Sequence, residues 1–179
     1  MTQPAEIQIK PVETDDLATF EGQIAVLVGT DGKLDAGARK VNALSKQAVK
    51  RLVESTAFTD LDPGQVARLT YPVGLAADAV LICKLDRRAD ALTARKAGGA
   101  LAKARGTEDL LAVAGTLARP EELALGLALR GYVFDTHRTG KKETLGGVTL
   151  MVSKPEEVAK TAQVGAAVAE GVFFTRDLT

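Results

Sequence analysis

DAVLICKLDRRADALTARKAGGALAKARGTEDLLAVAGTLARPEELALG, residues 78–126, decides the architecture. Asp78–Lys84 is an apolar run of strand length. Such a run reads as a strand buried on both faces. Asp90–Arg105 follows with helical spacing and places Leu92, Leu101 and several alanines on its apolar side. Gly98 and Gly99 sit inside that helix, where each glycine costs about 1 kcal/mol against alanine. This predicts that the helix lies so close to a sheet that a Cβ would clash. Asp109–Ala114 is a second buried strand. Pro120-Glu121-Glu122 then opens a helix expected to run to about Asp135. Proline suits the first turn, and acids suit the positive end of the helix dipole.

Working outward, the same alternation continues. Glu6–Lys10 alternates with period two, as a half-buried strand does. Ile24–Val28 is a continuous apolar run ending at Gly29. Asp31-Gly32-Lys33 is a turn, and Asp35 is placed to cap a helix whose Val41, Leu44, Ala48 and Leu52 share one face. Asp62-Pro63-Gly64 is a second turn, after which Gln65–Thr70 is a short strand ended by Tyr71-Pro72. Downstream, His137–Glu143 is a polar, basic loop and Gly147–Ser153 is a strand. Ser153 and Glu156 have the spacing of a capping box for a last helix. Strands alternating with helices give a three-layer α/β/α fold. The sheet is expected to hold about six strands, mixed but mostly parallel, because the early strands are separated by turns. The expected division is an α/β domain over 1–152 and a C-terminal helix over 153–179.

Composition narrows the function. The chain has 179 residues, 46% hydrophobic and 26% charged, which suits one globular domain and excludes whole-chain disorder. Lys+Arg and Asp+Glu both number 23, which weighs against a general nucleic-acid binder. One cysteine excludes an intrachain disulfide, and one cysteine with one histidine excludes a Cys/His zinc site made by this chain alone. No apolar run approaches the roughly 20 residues that a bilayer requires, and MTQPAEIQIK lacks a signal core. A cytoplasmic protein without a membrane partner is expected.

Residue patterns that carry chemistry are few. Gly29-Thr30-Asp31-Gly32-Lys33 follows a strand but lacks the spacing of a phosphate loop, so it reads as a turn. Gly115-Thr116-Leu117 leads from a strand to a helix start, a place where anions can meet free N–H groups, yet lacks G-x-G-x-x-G. Cys83 reads as an inert core thiol, and His137 as a solvated loop residue without a nucleophile elbow. Glu121-Glu122 and Glu156-Glu157 are explained by helix dipoles. Residues 84–106 hold seven bases (Lys84, Arg87, Arg88, Arg95, Lys96, Lys103, Arg105) against two acids, a local +5 balanced by −5 elsewhere. That segment makes Arg95, Lys96 and Lys103 candidates for contacting an anion or nucleic acid, although a solvated helix face explains the same charges.

The last helix carries Ala166, Ala167, Val168, Val172, Phe173 and Phe174 on a long apolar side. It reaches Thr175-Arg176-Asp177-Leu178-Thr179 without a capping glycine or polar tail. Termini usually fray in polar residues. The pattern is expected of a chain that continues into something larger, the alternative being a terminal helix that packs home.

AAVAEGVFFTRDLT, residues 166–179, resembles the segment that ends the N-terminal domain in the leucyl (cytosol) aminopeptidase family, with Gly171, Arg176, Asp177 and Leu178 at the matching positions. Gly126-Leu127-Ala128-Leu129 with Tyr132, Phe134 and Asp135 resembles a second family segment, and Arg95–Ala100 a third. The resemblance implies a macro-domain-like fold. It implies a parent protein that is a cytoplasmic, homohexameric exopeptidase of two domains, using two divalent metals (zinc or manganese, or magnesium). In that family the metal ligands, catalytic lysine and catalytic arginine lie in the C-terminal domain, in motifs such as N-T-D-A-E-G-R-L that do not occur here. No catalytic or metal residue is therefore assigned to this chain. Gly171, Arg176, Asp177 and Leu178 are the expected interdomain connection, and the expected partner is the chain's own catalytic domain. The alternatives are a module binding an ADP-ribose-like nucleotide, or DNA through the basic segment.

Overall fold

A computed structural model describes residues 6–131 and 145–177. The strands are β1 (Ile7–Pro11), β2 (Gln23–Val28), β3 (Val66–Thr70), β4 (Ala79–Lys84), β5 (Leu110–Gly115) and β6 (Val148–Val152). The helices are α1 (Ala36–Leu44), α2 (Ala48–Val53), α3 (Thr56–Thr59), α4 (Ala91–Arg105), α5 (Pro120–Arg130) and α6 (Pro155–Asp177), with a 3-10 turn at Asp15–Ala18. One six-stranded sheet runs in the order β1-β6-β5-β2-β4-β3. Neighbours are parallel except β3 and β4, which are joined by a turn and pair antiparallel. The fold is the expected three-layer α/β/α arrangement.

The period of two along each strand sorts the core into two layers. Ala25, Leu27, Leu81, Cys83, Ala112, Leu150 and Val152 face α4, α5 and α6. Ile24, Val26, Val28, Val80, Ile82, Leu111 and Val113 face α1, α2, α3 and the 3-10 turn. Every residue of β2 and β4 is buried, which is why these strands read as unbroken apolar runs. Full burial of one such Leu, Ile or Val side chain contributes about 1.5–3 kcal/mol.

Several local features differ from the sequence reading. The helix expected through Val41 and Ala48 is broken at Ser45-Lys46-Gln47, where Lys46 (φ 50°) and Gln47 (φ 65°) are left-handed. The buried Asn42 side chain bridges the break: its Nδ2 donates to Gln47 Oε1 at 2.7 Å and its Oδ1 accepts from Lys50 N–H at 2.9 Å. Leu92 is not on the apolar side of α4 but is 58% exposed. Helix α5 ends at Arg130, short of the expected Asp135. The capping box does not form, because α6 begins at Pro155 and the Ser153 hydroxyl donates instead to the Gly115 carbonyl at 2.8 Å. In α6, Phe173 is turned fully inward with Ala169, whereas Phe174 is 49% exposed.

Two of the seven bases counted in the basic segment are core residues. Lys84 Nζ donates to the carbonyls of Thr59 (2.9 Å), Leu61 (2.7 Å) and Phe58 (3.5 Å), where α3 ends. Arg105 is 3% exposed, and its Nη1 donates to the carbonyls of Glu108 and Gly146, each at 2.9 Å.

The glycines of α4 serve a helix rather than the sheet. A Cβ on Gly98 would strike the Leu123 carbonyl and come within 2.8 Å of Leu127 N, both in α5. A Cβ on Gly126 would strike the Arg95 carbonyl in return. Nearby, Arg95 Nε and Nη2 clasp Glu122 Oε2 at 2.9 and 2.7 Å, so Glu122 does more than meet its own helix dipole. Gly99 is different: its added Cβ would have only the Gly126 carbonyl near it, at 3.9 Å. Gly98→Ala is expected to destabilise the fold by about 1–3 kcal/mol through overpacking. Gly99→Ala is expected to be neutral or to stabilise by up to about 1 kcal/mol through helix propensity. Urea denaturation of the two variants beside the parent checks both signs.

Candidate functional site

Strands β2 and β5 are neighbours, but the chain leaves them toward opposite faces, to α1 from β2 and to α5 from β5. Ligand crevices in open α/β sheets form outside the carboxyl ends of strands at such a reversal. A cavity of about 270 Å³ occupies this place. Leu27, Leu85, Ala114 and Leu117 supply its apolar floor. It adjoins a second cavity of about 470 Å³ between the starts of α5 and α6, and Arg87, Thr116 and Leu117 line both.

The polar walls are built by the strand-end loops. After β2, the turn at Gly29–Lys33 closes with Gly32 N–H donating to the Gly29 carbonyl at 2.8 Å. A side chain at Gly29 would meet Asp31 Oδ1 at 2.7 Å and Asp86 Oδ1 at 3.4 Å, so the missing Cβ lets two carboxylates converge. Asp31 pairs with Lys33 Nζ at 2.7 Å, and this hydrogen bond holds its pKa below the ordinary value. Asp86 accepts from Thr30 N–H at 2.8 Å and from the Thr30 hydroxyl at 2.9 and 3.0 Å. Arg87, the next residue, reaches the other way and donates from Nε to the Thr116 carbonyl at 3.1 Å. The charges flanking the crevice are therefore held apart by two consecutive side chains.

Asp35 also lines this cavity and caps α1, accepting from Ala38 N–H at 2.7 Å. Burial pushes its pKa up, and the Ala38 N–H and Arg39 oppose this only in part. Asp90 caps α4 with the same geometry, accepting from Thr93 N–H at 2.7 Å, but it is exposed and its pKa is lowered by that hydrogen bond. Burial is the main difference between the two caps, and a side-chain hydrogen bond with Thr93 adds to the lowering at Asp90. Cys83 is buried within β4, where burial raises its pKa to about 12.

The candidates from the sequence fall in several places. Lys96 and Lys103 are exposed two turns apart on α4, whereas Arg95 is held by Glu122. Gly171 and Arg176 lie on the exposed part of the last turns of α6, and Asp177 is its final helical residue. Leu178, Tyr132, Phe134, Asp135 and His137 lie outside the described residues. The described residues hold no group of three His, Cys, Asp or Glu that could hold a metal ion. Asp86 and Arg87 were not singled out from sequence. Their only signal was a charged pair directly after a buried strand.

Residues 25–141 match the model of the cytosol aminopeptidase family, N-terminal domain. The chain belongs to this family. Probable cytosol aminopeptidases of Cereibacter sphaeroides and Dinoroseobacter shibae are 45% and 46% identical over 178 residues, 99% of this chain. The chain spans 36% of the length of each, and the match identifies it as the N-terminal domain. Among solved structures, a tomato leucine aminopeptidase variant superposes with a TM-score of 0.75 at 14% identity, covering 99% of this chain and 39% of that one. A Trypanosoma brucei macrodomain in complex with ADP-ribose superposes with a TM-score of 0.56 at 14% identity, over 90% of this chain and 73% of that one. These likenesses establish the macrodomain-like fold. No described helix is long and apolar enough to cross a membrane.

Two measurements test the electrostatics. Asp35→Asn keeps an acceptor at the cap and removes a desolvated charge, so at neutral pH it is expected to be as stable as the parent or more so. Because the folded pKa of Asp35 is raised, its favourable contribution is complete below the ordinary value of 3.8 and is lost as pH rises through the raised value. The parent should therefore gain on Asp35→Asn as pH falls. For Asp90→Asn the sign reverses: the contribution of Asp90 is present above 3.8 and is lost as pH falls through its lowered pKa. Thermal melts across pH 3–7 (roughly the carboxylate range) read both. Separately, Cys83 should resist a thiol reagent at pH 8 in the folded chain and react on addition of denaturant.

Proposed function

We propose that this domain is the non-catalytic assembly or regulatory part of a metal-dependent leucyl aminopeptidase that removes N-terminal residues from peptides. The supporting observation is the outer face of α6. That helix is 23 residues long and turns Ala169 and Phe173 inward. On its outward side Val164 and Val168 are exposed, Gly171 follows, and Phe174 comes three residues later. This spacing of four and three forms one apolar stripe. A stripe of this kind suits a protein surface rather than water, and the chain's span of 36% of its relatives supplies the candidate, the catalytic domain. In this reading Gly171, Arg176, Asp177 and Leu178 form the interdomain connection. The two divalent metals, zinc or manganese, reside in the catalytic domain of a cytoplasmic hexamer.

The 179-residue chain should not hydrolyse leucine p-nitroanilide with manganese present. A polypeptide of the relatives' length should do so, and a chelator should stop it. Val168→Asp with Phe174→Asp in that longer polypeptide should lower the activity and shift its elution on size exclusion, while leaving the melting of the 179-residue domain unchanged. Turnover by the short chain, or full activity and assembly of the double variant, would refute the proposal.

A further inference from the structure

We propose that the 270 Å³ crevice at the carboxyl ends of β2, β4 and β5 binds a free α-amino acid with a compact apolar side chain. The proposal rests on which groups around the cavity already have ionic partners and which do not. Asp31 is neutralised by Lys33. Asp86 receives only neutral donors, the amide and hydroxyl of Thr30. Asp35 receives the Ala38 amide, and its other oxygen faces Gly115 at the end of β5. Among the described residues neither Asp35 nor Asp86 is in a salt bridge. Arg87 is likewise without one, and its Nε bond to the Thr116 carbonyl leaves the two terminal nitrogens for another acceptor.

A cation site and an anion site are thus fixed on two sides of one hydrocarbon floor. Asp86 is tied to the β2–α1 loop, Arg87 to the β5–α5 loop, and Leu27, Leu85, Ala114 and Leu117 lie between those loops. An ammonium group satisfies the carboxylates, a carboxylate pairs with the guanidinium fork, and an aliphatic side chain covers the floor. Other ligands use the walls poorly. A nucleoside phosphate would set its charge beside Asp35 and Asp86, the two carboxylates without an ionic partner, a simple amine would leave Arg87 unused, and a simple acid would leave Asp86 unused. The volume is just under the roughly 300–1,000 Å³ of pockets for larger ligands.

Leucine is the probe of choice, and that choice alone rests on the peptidase reading. A domain that senses the amino acid released by its own enzyme would couple product level to assembly. Titration calorimetry of the 179-residue chain with L-leucine should show saturable binding. Leucinamide, which lacks the carboxylate, and 4-methylpentanoate, which lacks the amine, should each bind about tenfold more weakly or worse. Asp86→Asn preserves an acceptor for Thr30 and should weaken leucine by a similar factor, as should Arg87→Gln. Melting curves report whether the variants fold, and the two analogues test the parent chain directly. Absence of saturable leucine binding overturns the proposal. So does equal affinity for 4-methylpentanoate, or displacement of leucine by AMP or ADP-ribose at lower concentration. The readout needs no peptidase activity, so an active enzyme whose domain ignores leucine sinks this site and leaves the proposed function standing.

Discussion

The close crossing of α4 over α5 governs the arrangement of this domain. Gly98 and Gly126 remove the two side-chain atoms that would keep the helix backbones apart. Dispersion and apolar burial then act over a short separation, and Leu101, Leu123 and Leu127 close beneath the crossing. The Arg95–Glu122 clasp holds the helices at one relative rotation. Each helix starts just after a strand of the parallel sheet, so fixing the pair also fixes the distance between the β4–α4 and β5–α5 loops. The reach of Arg87 to Thr116 depends on that distance.

The crevice shows how one residue type takes different electrostatic roles according to solvent. Asp35 and Asp90 make the same helix-capping hydrogen bond at the same length. Under the strand ends, desolvation outweighs that bond, while at the surface the bond wins. Asp31 and Asp86 differ in another way: one has an ammonium beside it and the other only dipoles. Their convergence across Gly29 makes the β2–α1 turn acidic without making it a metal cluster.

Much of the architecture was legible in the sequence because buried parallel strands and capped helices leave strong local patterns. Ile24–Val28, Asp78–Lys84 and Asp109–Ala114 read as strands, and Asp35 as a cap, for reasons internal to each segment. The misreadings share a cause, which is dependence on what lies across the fold. Nothing local marks the left-handed pair Lys46-Gln47, because the Asn42 side chain stabilises it rather than a glycine. The glycines of α4 announced a close approach but not its partner. Lys84 and Arg105 counted toward a basic surface, although each is buried among carbonyls contributed by other segments. Similarly, Asp86 and Arg87 cancel in a charge sum, and only their opposite directions make them two walls of a cavity.

The Lys84 ammonium holds the Phe58, Thr59 and Leu61 carbonyls much as a bound cation would, with the Phe58 ring 5.4 Å below it. Those acceptors lie 23–26 residues earlier in the chain, whereas the lysine ends β4, a strand buried along its whole length. The path of residues 58–61 is therefore tied to the position of β4 rather than to its own neighbours in sequence. Loosening that segment would strand a charge away from water. The end of α3 is thus held to a fully buried strand by its backbone carbonyls as well as by the buried Phe58 ring.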